Sequence, residues 1–143
     1  MTAVEFHFNV PERLPYVCRL LRKAVRMRTG VAVTAAPEAL DALDAALWRF
    51  DPIEFIPHLR VRAGRPPAAR LHATPVWLVD AAADCADLPV LLNLGAAAPQ
   101  DFQRYSRLIE VVTLDEADRN AARVRWKQYA ALGHAIVRHE VPA

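Results

Sequence analysis

Near the C-terminal end, Arg119, Arg123 and Trp126 stand at i, i+4 and i+7. On a helix this spacing gathers two guanidinium groups and an indole on one face. Two cations four residues apart repel, so that face calls for an acidic neighbour. One reading is a solvated face neutralised by Asp115, Glu116 and Asp118, which precede the arginines at the positive end of the helix. The other is a site for an acidic peptide ending in an apolar residue, its carboxylates on the arginines and its side chain on the indole. Ala117, Ala121, Val124 and Leu132 lie opposite and form the expected core stripe.

A second concentration of chemistry is LWRFDPIEFIPHL. Trp48, Phe50, Phe55 and Ile56 crowd together there, with Pro52 and Pro57 stiffening the path. Such aromatics either fold back onto the core or anchor a partner, since Trp and Phe dominate binding energy at interfaces.

Other familiar chemistry is missing. Gly30, Gly64, Gly95 and Gly133 are the only glycines, and none falls in a dinucleotide or P-loop pattern. Without such glycines the backbone cannot approach a pyrophosphate closely. His7, His58, His72, His134 and His139 show no metal-ligand spacing, so no metal or other cofactor is expected. Ser106, in RYSRL, has no flanking glycines for a nucleophile elbow. Cys18 and Cys85 are too few and too far apart for a disulfide framework and read as buried reduced thiols. No catalytic residues are therefore assigned.

The elements that carry these residues follow from periodicity. Ala3–Val10 alternates, with Val4, Phe6, Phe8 and Val10 on one side, and predicts a strand with one buried face. A helix is expected from Pro11 to about Thr29, its core stripe Val17, Leu20, Leu21, Ala24 and Met27, closed by Gly30 in the left-handed position. Val31–Thr34 reads as a short strand, and Pro37 opens a helix whose stripe is Leu40, Leu43, Ala46 and Leu47. Residues 51–75 hold five prolines and four arginines and read as one long connection. Beyond it come strands at Pro75–Val79 and Pro89–Leu94, a short helix at Asp101–Tyr105 and a strand at Leu108–Val112. A helix over Asp115–Leu132 is closed by Gly133, and His134–His139 alternates as a last strand. The order predicts a single α/β domain over residues 1–143 with a mostly parallel sheet.

Composition sets the frame. The chain has 143 residues, 54% apolar and 24% charged, with a formal net charge of +2. That suits one globular domain and lacks the basic excess of a general nucleic-acid binder. The charge is uneven. Residues 1–75 carry eleven basic and seven acidic side chains, and residues 76–143 carry seven and nine. Arg60 to Arg70 is a candidate DNA contact, but it lacks aromatics for base stacking. The N-terminus has no apolar signal region and no stretch is long enough for a membrane helix, so a cytoplasmic protein is expected.

Taken together, VEFHFNV, DALDAALWRFDPIEFIPH, LIEVV and DRNAARVRWKQYAALG resemble the chi subunit family of bacterial DNA polymerase III, in order and spacing along essentially the whole chain. The resemblance implies a Rossmann-like three-layer α/β fold without a nucleotide-binding loop. It also implies a non-catalytic accessory role in DNA replication, within a holoenzyme whose activity is DNA-directed DNA polymerisation. Two partners are implied. The psi subunit, in a 1:1 heterodimer, would meet Trp48, Phe55 and Pro57 and lead to the clamp loader. The acidic, phenylalanine-ended tail of single-stranded DNA-binding protein would meet Arg119, Arg123, Trp126 and Val112. DNA contact would then be indirect. In some bacteria a helicase-like protein uses the psi-facing surface. The alternative reading is a Rossmann-like nucleotide-binding enzyme with a divergent site.

Overall fold

The opening alternation forms strand β1, Ala3–Val10, and six more strands join it in one sheet. In this computed structural model, which describes residues 1–85 and 87–142, β1 is followed by α1 (Arg13–Arg26), β2 (Val31–Thr34), α2 (Pro37–Phe50) and β3 (His58–Val61). Then come β4 (Val76–Val79), β5 (Val90–Asn93), β6 (Arg107–Thr113), α3 (Glu116–Ala131) and β7 (Ile136–Glu140). Three single 3-10 turns interrupt the connections, one of them, Phe102–Arg104, where a short helix was expected.

The sheet runs β3-β4-β2-β5-β6-β1-β7, and every pairing is parallel. Strands β2, β4 and β5 are buried at every residue, as continuous apolar strands are when both faces are covered. On one face α1 and α2 bury Val17, Cys18, Leu21, Leu40, Leu43 and Leu47 against Val33, Leu78 and Leu92. On the other, α3 places Ala122 and Tyr129 against Val4, Phe6, Leu108 and Val112. Burying a Leu, Val or Phe side chain contributes roughly 1.5–3 kcal/mol, so both layers are held chiefly by these contacts.

Several expectations are corrected. β3 lies inside the segment read as a connection, and it becomes an edge of the sheet. Its four residues include Arg60, which interrupts any apolar run. Val10 does not share a face with Val4 and Phe6. Asn9 takes a φ of 60°, the β1–β6 register shifts between His7 and Val10, and Val10 swings to the α1 side. Helix α1 is shorter than expected at both ends, and Met27 beyond it is exposed. The left-handed residue after α1 is Arg28, at φ 57°, and not Gly30. What Gly30 supplies is space, because a Cβ there would fall 2.6 Å from Leu88 Cδ2. Gly133 does take the left-handed position after α3, at φ 85°. Cys18 is buried and Cys85 half-buried, and both are free thiols.

Candidate functional site

Helix α3 begins with a cap. Asp115 accepts a hydrogen bond from the Asp118 backbone N–H at 3.0 Å. The Asp118 carboxylate turns back toward the sheet, where it accepts from Thr113 N at 2.8 Å and from Arg13 Nη2 at 2.6 Å. Asp118 is thereby held below the usual carboxylate range, its partial desolvation outweighed by the two Thr113 bonds and the Arg13 guanidinium. Asp115 and Asp118 are therefore engaged elsewhere, while Glu116 stays exposed and pairs with neither arginine. Among the described residues no carboxylate pairs with Arg119, Arg123, Lys127 or Arg138. Arg123 donates instead to the Asn120 side-chain oxygen at 2.6 Å.

Val112, Arg119, Arg123 and Trp126 come together around one cleft of about 400 Å³. Its floor is the β1–β7 edge of the sheet and its wall is α3. Trp126 is half-buried, its ring 5.0 Å from Phe6 and 6.1 Å from Phe8, so the indole is fixed from beneath and open above. Phe8, Lys127 and Arg138 line the same cleft and were not singled out from the sequence. Lys127 carried a signal, one turn beyond Arg123. Arg138 carried none, because the parallel pairing of β7 with β1 alone brings it there.

The inward face of α3 is not the expected one. Ala117, Val124 and Leu132 are exposed and Ala121 is half-buried, while Ala122, Arg125 and Tyr129 are buried. Arg125 pays no heed to the polar pattern of its neighbours. Its Nε donates to Glu110 Oε1 at 3.1 Å and its Nη1 to the Ala96 carbonyl at 2.9 Å. Asn93 and the Tyr129 hydroxyl donate to the same carboxylate. Burial and the neighbouring Glu110 charge push the Tyr129 phenol far above its ordinary range. This network fixes the rotation of α3, and with it the outward aim of Arg119, Arg123 and Trp126.

The aromatic tract divides. Ile56 is buried and Phe50 half-buried, with the Arg22 guanidinium 4.9 Å from its ring. Trp48 and Phe55 stay 60% and 55% exposed with ring centres 5.3 Å apart, and His58 lies 4.9 Å from Trp48. Pro57 is half-buried beside them, and Ile53 is exposed. The turn carrying these residues is braced. Asp51 Oδ1 accepts from the backbone of Ile53 and Glu54, and Asp51 and Glu54 pair with Arg22 and Arg26 of α1. An exposed aromatic pair on a braced turn is a preformed apolar patch.

The two surfaces lie at opposite ends of the sheet and on opposite faces. α2 packs beside β3 and β4 and α3 packs on β6, while the cleft reaches β1 and β7. Six inter-strand steps of about 4.8 Å separate the edges by roughly 29 Å. At the β3 edge, the arginine-rich connection is partly committed to structure. Arg60 joins Asp41 at 2.9 Å and Asp80 at 2.8 Å, and Arg62 also pairs with Asp41. Among the described residues no helix is long and apolar enough to cross a membrane.

Residues 1–137 match the family described as DNA polymerase III chi subunit, HolC. The DNA polymerase III subunit chi of Pseudomonas aeruginosa is 34% identical over 149 aligned positions, covering 99% of each chain. That of Haemophilus influenzae is 30% identical, covering 81% of this chain and 78% of its own. Among solved structures, the C-terminal domain of the DEAD-box protein Dbp5 superposes with a TM-score of 0.61 at 11% identity, covering 97% of this chain and 90% of that one. At that identity the likeness concerns the α/β fold alone. With sequence agreement along nearly its whole length, the chain belongs to the DNA polymerase III chi subunit family, which makes it an accessory protein of DNA replication.

Proposed function

We propose that this chain is a non-catalytic connector, joining single-stranded DNA-binding protein to the clamp loader through the psi subunit. The observation that carries the first half is the α3 cleft, where cations without carboxylate partners surround an apolar floor. An acidic peptide tail with a terminal phenylalanine fits that chemistry. Its terminal and side-chain carboxylates engage Arg119 and Arg123, while its ring packs on Trp126 and Val112. The indole is already immobilised by Phe6 and Phe8, so little side-chain entropy is lost on binding. The second half rests on the exposed Trp48–Phe55 pair beside Pro57, which suits the apolar anchors of a stable heterodimer. In bacteria where a helicase-like protein takes this surface, the same anchors serve it.

Nucleotide binding is the weaker reading. The turn from β1 to α1 is Pro11–Glu12, without glycine, and it sets Glu12, a carboxylate-bearing residue, at the N-cap of α1. A phosphate at that helix end would meet a like charge where a binding loop offers backbone N–H groups.

Titrating a fluorescent acidic peptide ending in phenylalanine tests the tail site. Arg123→Ala should weaken binding about tenfold, equivalent to about 1.4 kcal/mol. Unchanged affinity would sink the assignment.

A further inference from the structure

The cleft has a second wall that α3 does not supply. β7 pairs with β1 so that Arg138 stands beside Phe6 and Glu140 beside Phe8, all facing the α3 side. The Arg138 guanidinium lies 5.1 Å from the centre of the Phe8 ring, which holds it over the cleft. Glu140 is engaged, its Oε1 accepting from Asn9 Nδ2 at 2.8 Å. Among the described residues Arg138 has no carboxylate partner.

The order of cations along the cleft is also defined. Asp118 reaches Thr113 at the C-terminal end of β6, whereas Tyr129 lies against Phe6. Helix α3 therefore runs antiparallel to the strands. Arg119 and Arg123 belong to the Val112 end of the cleft, and Lys127 and Arg138 to the other. The Arg138 backbone stands one two-residue step, about 7 Å, from the level of Phe8, and its guanidinium reaches toward that ring from the β7 wall. A ligand ring seated on Trp126 and Val112 would thus have cations on both sides of it.

We propose that Arg138 is a specificity-determining residue, taking a side-chain carboxylate upstream of the ligand's aromatic terminus while Arg119 and Arg123 take the terminal carboxylate. The proposal rests on reading the cleft as a peptide-tail site. It narrows the ligand to a peptide with an acidic side chain two to three residues before its aromatic end, since an extended chain advances about 3.3–3.6 Å per residue. An aromatic-ended peptide without that acid gains nothing from Arg138.

The test uses the full chain and three short labelled peptides ending in phenylalanine, read by fluorescence anisotropy. The first has upstream aspartates and a free C-terminus, the second amidates the C-terminus, and the third replaces the aspartates by asparagine. Arg138→Ala should weaken the first about fivefold, in the range of an exposed ion pair. The same fivefold ratio should persist with the amidated peptide and vanish with the asparagine peptide. Arg138→Lys should retain part of the affinity, and unchanged thermal melting verifies folding. A ratio that vanishes on amidation instead, or an Arg138→Ala variant that binds like wild type while Arg123→Ala does not, overturns the proposal alone. If Arg123→Ala is also without effect, the reading of the cleft as a tail site falls with it.

Discussion

Arg125 and Glu110 form an ion pair inside the protein, Nε to Oε1 at 3.1 Å, with side chains 2% and 0% exposed. Two residues away on the same helix, Arg123 faces solvent. One arginine is consumed in orienting α3, and the other is left to meet a ligand.

Removing one partner of a buried pair strands the other charge, so Arg125→Met should destabilise the fold by about 3–5 kcal/mol. Adding Glu110→Gln should recover part of that loss, because the stranded carboxylate is then gone. Urea unfolding of the two single variants and the double variant measures this, and simple additivity would contradict the pairing.

Acid should loosen the same helix from its other end. Asp118 has a depressed pKa in the folded state, against about 3.9 when unfolded. Its contribution is therefore present above about pH 4 and lost as pH falls through the lower folded value. Asp118→Asn should cost about 1–3 kcal/mol at pH 7, the range of hydrogen bonds to a charged group and of a donor left without its acceptor. The gap between wild type and variant should narrow in urea titrations repeated near pH 3.

At the other surface, Phe55→Ala should abolish co-purification with psi and leave tail-peptide affinity unchanged. Truncating an aromatic anchor at an interface centre commonly costs about 2 kcal/mol or more. Circular dichroism separates this outcome from unfolding, and simultaneous loss of both activities in a folded variant would refute the two-surface arrangement.

Tail binding should weaken as salt rises from about 0.05 to 0.5 M, since the cations lining the cleft are exposed and the Debye length shortens across that range. Arg123→Ala should flatten the dependence. A salt-independent affinity would mean that the apolar floor alone holds the ligand.

Much of this architecture was legible in the residues. The continuous apolar runs of β2, β4 and β5 and the 3.6-residue stripe of α2 each have one period and one physical solution. Arg119, Arg123 and Trp126 could be grouped from spacing because they share one helix, whereas Val112, which lines the same cleft, was named only through the family resemblance. The rotation of α3 was misread because Val124 and Leu132 look more buriable than Arg125, and only the carboxylate of Glu110 on the underlying strand reverses that preference. The turn at Asn9, the edge strand β3 and the approach of Arg138 depend on inter-strand pairing, which leaves no periodic trace.

The seven-strand sheet also has a consequence for avidity. Two chains seated at its opposite edges would be tethered by a rigid spacer, not a flexible linker. Confinement to a few tens of ångströms corresponds to an effective concentration on the order of millimolar. Weak contacts between those two chains would then suffice to hold them to each other, and where both belong to one larger assembly either contact could open while the other keeps it in place.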